Sequence, residues 1–340
     1  MSAVGSTEIA AAGAPHGAVR ATERDLPDWF QAKRGGRHRL VGWWVPAIMV
    51  GIPIAVIVLI VIYPTIWMLY HAFQSTDMMS LFSGDWRFVG FANFTNVLTS
   101  SRFHNSIGNL AIYLIFGACL QVVLGTAIAL ILYELVRTSW LRVVLLIVLV
   151  VPIMMPPAIA GVLWRFLLQA QNGAVNHLLL HLGVLQGAER VNWFSVDLAL
   201  WSLVMADSWQ WTALTLLIVY SGRVSLPPAV YEAAQVDGAS RWQVLTRLTL
   251  PMLKEIIAIA FILRFMDAYK FVDKVYVMTS GGPAQASELP VYIAFQKGIR
   301  EFQIGEAAGY AIVIFVGAAL LITLFLKYLK RVMRHQGVTA

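Results

Sequence analysis

Cysteine is almost absent. The one residue, Cys119, lies inside an apolar run, so no disulfide framework holds this chain together. Charge is scarce too, at 13% of residues, about half the share of an average soluble domain. No G-x-x-x-x-G-K-[ST] phosphate loop occurs, which excludes an ATP-hydrolysing motor of that kind. Neither a nucleophile–base pair nor a metal-ligand cluster falls within the apolar stretches, so an intramembrane enzyme is not expected and no cofactor is implied. His177 and His181 stand four apart and could share a metal on one helix face, but no third ligand follows at a convincing spacing.

Apolar residues fill the space that charge leaves. They make up 59% of the 340 residues, the composition of a membrane protein. Six stretches can each cross a bilayer, which takes roughly 20 apolar residues. They run from about Trp43 to Tyr70, Ser106 to Leu132, Val143 to Leu167, Leu198 to Tyr220, Met252 to Val272 and Ala307 to Leu326. The third contains Pro152, Pro156 and Pro157, which predicts a kink. The fold class is therefore an all-α membrane protein with six transmembrane helices.

The net charge of +7 follows the membrane rather than a nucleic acid, because basic residues gather at the ends of apolar runs. The clusters are Lys33, Arg34, Arg37, His38 and Arg39, then Arg137 with Arg142, the interval from Arg223 to Lys254, and Lys327, Lys330, Arg331 and Arg334. The positive-inside rule puts all four in the cytoplasm, together with both termini. Residues 1–40 read as a disordered cytoplasmic tail and 335–340 as a C-terminal tail, flanking a transmembrane domain at 41–334. The first apolar stretch starts too late and runs too long for a cleavable signal peptide.

One polar interval carries its own helix-making instructions. Within 223–251, Pro227 and Pro228 suit a first helical turn, Gly238 suits a left-handed helix end, and Ser240 with Gln243 forms a capping box. Trp242, Leu245, Leu248 and Thr249 are expected to give the second helix an apolar face before Pro251. The product is a compact helix–turn–helix knob outside the bilayer.

The residues of that knob, Glu232-Ala233-Ala234, then Asp237-Gly238-Ala239, then Leu250-Pro251, resemble the EAA loop of permease subunits in binding-protein-dependent ABC importers. Gly173-Ala174-Val175-Asn176 with Trp193, Thr279-Ser280-Gly281-Gly282-Pro283, and Gly305-Glu306-Ala307-Ala308-Gly309 extend the resemblance over about 45–328. The resemblance is to the carbohydrate-type members, for maltose, glycerol phosphate and polyols.

It implies a multi-pass subunit of the bacterial inner membrane that forms half of a translocation pathway for a sugar, polyol or sugar derivative. It also implies partners: a pair of ABC ATPase subunits, a second homologous permease and an extracytoplasmic substrate-binding protein, with the lipid bilayer around them and no nucleic acid. The binding protein would dock near 74–104, 170–197 and 274–304. Glu232, Ala233, Ala234, Asp237, Gly238 and Ala239 would couple to the ATPase.

Ionisable residues inside spans are costly unless paired or facing a wet cavity. Arg264 and Asp267, three apart on one helical face, share it with Ala268 and Phe271. Placed against maltose-type permeases, these four and Gln210, Trp211 and Leu214 fall on the face that lines the sugar cavity. A carboxylate, a guanidinium, an amide and aromatic faces suit a polyhydroxylated ligand. Arg264 and Asp267 could equally form a structural ion pair, and Asp207 could line a gate or sit at the interface. An ion-gradient-driven secondary transporter is the alternative; it would favour inverted repeats, broken helices and paired ion sites. The sequence has instead one proline-rich stretch, no repeat and an EAA-type knob for which such a carrier has no use.

Overall fold

The computed structural model describes residues 44–334, and every regular element among them is a helix. The expected tails at 1–40 and 335–340, with the first basic cluster, lie outside the described residues. α1 begins as Trp44–Ile57, passes through a π-helical stretch at Val58–Ile62 and ends as Tyr63–His71. The chain up to Pro64 is one unit, and the chain from Thr65 onward is a second, compact one.

In the second unit α2 spans Ser101–Leu135, α3 Ser139–Met154, α4 Pro157–Leu167 and α5 Ala199–Val224. α6 is Pro228–Val236; α7, Leu250–Tyr269, is entered through Arg241–Gln243 and Val244–Thr249; α8 is Ile304–Arg334. Four of these helices are long and apolar enough to cross a membrane, counting Ala47–His71 of α1, Ser101–Leu135, Ala199–Val224 and Ile304–Leu324. α3 and α4 make a fifth if taken as one broken span. The expected kink is more than a kink: the two helices meet at 99°. Pro152 sits inside α3 without ending it, while Pro156 and Pro157 force Met155 and Pro156 into extended backbone with ψ of 136° and 135°. α7 is less apolar than these, because Lys254, Glu255, Arg264 and Asp267 all lie on it.

α2, α5 and α7 hold the unit together through two apolar clusters. One gathers Leu110, Tyr113, Leu203, Val204, Ala268 and Phe271; the other gathers Ala129, Leu130, Leu216, Val219 and Leu253. Along each helix the clusters are separated by a buried polar side chain: Gln121 on α2, Asp207 on α5 and Arg264 on α7. The helices approach closely where Gly125 of α2 meets α5, since a Cβ there would lie 2.5 Å from Thr215 Cβ and 2.9 Å from the Leu216 nitrogen. Only glycine permits that contact without moving backbone.

The family-like stretches act as joints between loops. Asn176 donates to the Ala170 and Val191 carbonyls at 2.8 and 2.9 Å and accepts from Trp193 Nε1 at 3.1 Å. The loop after Thr279 is stitched by Ser287 Oγ, which donates to the Gly282 carbonyl and bonds Thr279 Oγ1, both at 2.8 Å. It is clamped from outside by Arg102, Asn105 and Asn109, one face of α2, which bond Glu288 and the Gln285 and Glu288 carbonyls. Gly305 approaches so near the Gln74 carbonyl that a Cβ would lie 2.2 Å away.

Candidate functional site

Two assemblies hold the residues singled out by the sequence: a polar knob between α5 and α7, and a charged layer between the two apolar clusters.

The knob is built by its own caps. Pro227 and Pro228 open α6, as their fixed φ favours. At its other end Gly238 takes φ +72°, the Gly238 amide donates to the Gln235 carbonyl at 3.1 Å, and the Ala239 amide donates to the Ala234 carbonyl at 3.0 Å. That pair of bonds is a Schellman motif, and it closes only with a left-handed residue between them. Ser240 and Gln243 then cap each other's backbone amides at 2.8 and 3.3 Å, as the sequence predicted. Glu232, Ala233, Asp237 and Gly238 are exposed, and Ala234 and Ala239 are half-buried. Among the described residues Glu232 has no ion-pair partner.

The second helix departs from expectation at one residue. Leu245 and Leu250 pack against the cluster of Leu130, Leu216 and Leu253, and Thr249 is buried, but Trp242 is 71% exposed. It stands one residue after the start of the helix and points away from the body of the unit. Val236 is 88% exposed on the same knob. Two large apolar side chains therefore stand in the open on a rigidly capped projection, where burial would otherwise stabilise them.

The charged layer centres on Asp207, which is fully buried within the helices and so lines no open surface. Its Oδ1 accepts from Lys274 Nζ at 2.7 Å, and its Oδ2 accepts from Arg264 Nη2 at 3.1 Å and Gln121 Nε2 at 2.8 Å. Arg264, 1% exposed, also donates from Nε to Gln121 Oε1 at 2.6 Å and from Nη1 to Asp267 Oδ2 at 2.9 Å. Its guanidinium lies 4.7 Å over the Trp211 ring, and Phe271 stacks on Tyr113 with centroids 4.8 Å apart. Two buried cations thus face two carboxylates, and every charge in the interior has a partner.

The predicted cavity face is split by this arrangement. Asp267, Trp211 and Leu214 are half-buried at its open edge, whereas Arg264, Ala268 and Phe271 are buried behind it. Gln210 turns away altogether and donates from Nε2 to the Met155 carbonyl at 2.6 Å. That carbonyl is freed by the break between α3 and α4, so Gln210 satisfies backbone that lipid could not. Lys274 and Gln121 were missed by sequence reasoning. An unpaired Asp207 in an apolar helix already demanded a cation, but nothing local said which one. His177 and His181 are both exposed on the helix Ala174–His181, and among the described residues no group of three or more His, Cys, Asp or Glu could hold a metal.

Comparison with known proteins follows the same lines. The profile of the inner membrane component of binding-protein-dependent transport systems matches residues 121–335. The chain is 34% identical over 268 residues to a probable ABC transporter permease protein of Sinorhizobium fredii, covering 78% of this chain and 84% of that protein. It is 33% identical over 245 residues to a trehalose/maltose transport system permease protein of Thermococcus litoralis, covering 72% and 79%. Among solved structures, a chain of a bacterial ABC transporter involved in the import of the acidic polysaccharide alginate superposes with a TM-score of 0.74. Its identity is 20%, with 89% of this chain and 98% of that chain covered, so the likeness concerns the fold alone.

Proposed function

Because the chain belongs to the inner membrane components of binding-protein-dependent transport systems, we propose that it carries a sugar, polyol or sugar derivative through half of a shared pathway, driven through its knob by a separate ATPase. The chain is a multi-pass membrane permease and not an enzyme. The trehalose/maltose relative supports the substrate class.

The observation that carries the coupling reading is the knob itself. It is rigidly capped at both turns, exposes Val236 and Trp242, and leaves the Glu232 carboxylate free for a basic partner. In this reading 41–334 is the transmembrane domain and 223–251 its coupling loop. Glu232, Ala233, Ala234, Asp237, Gly238 and Ala239 contact one of two ATPase subunits. α7 is the sixth crossing: its mid-helix charges, Arg264 and Asp267, are paired within the protein, so hydropathy undercounts it. Six crossings place both termini and the knob in the cytoplasm. A second permease completes the pathway, and an outer binding protein delivers substrate to the loops at 74–104, 170–197 and 274–304. ATP binding rocks the pair outward-open and hydrolysis resets it.

The pathway edge in this reading is Trp211, Leu214 and Asp267. Trp211 offers a ring face to sugar C–H groups and Asp267 a carboxylate to hydroxyls. Arg264, Ala268 and Phe271 support that edge from behind, and Gln210 braces the helix break. Trp211→Ala and Asp267→Ala are expected to lower uptake at limiting sugar by roughly tenfold, the scale of one or two lost contacts, with basal ATP hydrolysis retained. Uptake and sugar selectivity equal to the wild type in both variants would rule out this edge as the pathway.

A further inference from the structure

Arg223 lies in the last turn of α5 with its side chain 6% exposed, and none of the roles described so far uses it. Its guanidinium is held between two rings, with the carbon 4.1 Å from the centroid of Tyr133 near the end of α2 and 4.1 Å from that of Tyr231 in α6. In the plane between the rings, Nε and Nη2 both donate to Glu134 Oε1, at 2.8 and 2.6 Å. The Tyr231 hydroxyl continues the chain of contacts to Thr249 Oγ1 at 3.2 Å, where the chain enters α7. Arg142 donates to the Val136 carbonyl at 2.6 Å and its guanidinium carbon lies 5.4 Å from the Tyr133 ring centroid, tying in the start of α3.

We propose that this ring–guanidinium–ring clamp is the joint that carries displacement of the knob into α2 and α5, making Arg223 and Tyr231 positioning residues for transport. The proposal rests on the reading of the knob as the ATPase contact. The knob is otherwise joined to the membrane helices by the short 225–227 link and by apolar contacts of Leu226, Leu245 and Leu250 at its flanks, which are non-directional. A planar cation stacked on both faces and hydrogen-bonded at its edge resists tilt in each direction. Arginine can do this and lysine cannot, because an ammonium has no faces to stack.

The test uses the whole importer, permease pair with its ATPase, in proteoliposomes, reading sugar uptake and ATP hydrolysis together with recovery of the assembled complex. Tyr231→Leu is expected to lower sugar carried per ATP by roughly tenfold, within the usual range of coupling between sites, while the ATPase stays bound. Tyr231→Phe keeps the ring and is expected to restore transport to near wild type. Arg223→Lys, which keeps the charge, is expected to behave like Tyr231→Leu. Ala234→Trp, on the knob's surface, serves as the control for docking. If Ala234→Trp uncouples the importer and Tyr231→Leu does not, the clamp is refuted and docking stands. If Ala234→Trp leaves the ATPase bound and transport intact, both are overturned.

Discussion

Asp207→Asn is expected to deplete folded permease from the membrane. The wild-type interior balances Arg264 and Lys274 against Asp207 and the half-buried Asp267. Losing Asp207 leaves both cations with a single carboxylate, and Lys274, fully buried, without its salt-bridge partner. Removing one partner of a buried ion pair costs about 3–5 kcal/mol, because the other charge stays desolvated. That is a large part of the roughly 5–15 kcal/mol that typically holds a domain folded. Lys274→Met should be milder, because Asp207 keeps the Arg264 and Gln121 bonds. Combining Asp207→Leu with Lys274→Met should recover much of the loss, since it leaves Arg264 paired with Asp267. Melting of the detergent-solubilised protein gives the ranking directly. A Lys274→Met variant as unstable as Asp207→Asn would contradict the charge balance described here.

The second large effect concerns Gly238. No atom lies within 4 Å of a Cβ placed there, so a side chain meets no clash. The obstacle is its φ of +72°, a conformation that costs a non-glycine residue roughly 1–2 kcal/mol and is least accessible to β-branched side chains. Gly238→Val should therefore open the Schellman turn and swing α6 against the Ser240–Gln243 cap. Under the proposed coupling, ATP-driven uptake falls at least tenfold, within the usual range of coupling energies. Membrane insertion should be unchanged, because the residue is exposed and outside every apolar span. Gly238→Asn tolerates the same backbone and should retain most of the transport. Uptake assays with quantified membrane levels separate the two. Equal transport in the Val and Asn variants would deny the turn any part in coupling.

What could be read from the sequence follows the range of each interaction. The Gly238 turn and the Ser240–Gln243 cap depend on residues within a few positions, and both stood in the sequence as written. The apolar lengths of α2 and α5 were equally plain. The depth of Asp207 was not, because its partners Gln121, Arg264 and Lys274 are 86, 57 and 67 residues away. Spacing alone paired Arg264 with Asp267 and could not show that Asp207 held the same guanidinium. Gln210 looked like a ligand for sugar hydroxyls, and only the position of the broken backbone at Met155 reveals its other use. Trp242 matched an inward helical face by periodicity, yet it sits in the first turn, beyond the apolar surface that Leu245 reaches. The prolines announced a change of direction in the third stretch but not its size.

The docking of the knob is the centre of this account, and cross-linking tests it most directly. Cys119, the one native cysteine, is replaced by serine, and a single new thiol is placed by Val236→Cys on the most exposed apolar position of the knob. A short bifunctional reagent is applied to the assembled importer with and without ATP. The account predicts a cross-link to the ATPase subunit that changes with nucleotide, and labelling of the thiol only by reagents that reach the cytoplasm. A thiol labelled from outside the cell, or joined to the extracytoplasmic binding protein, contradicts it.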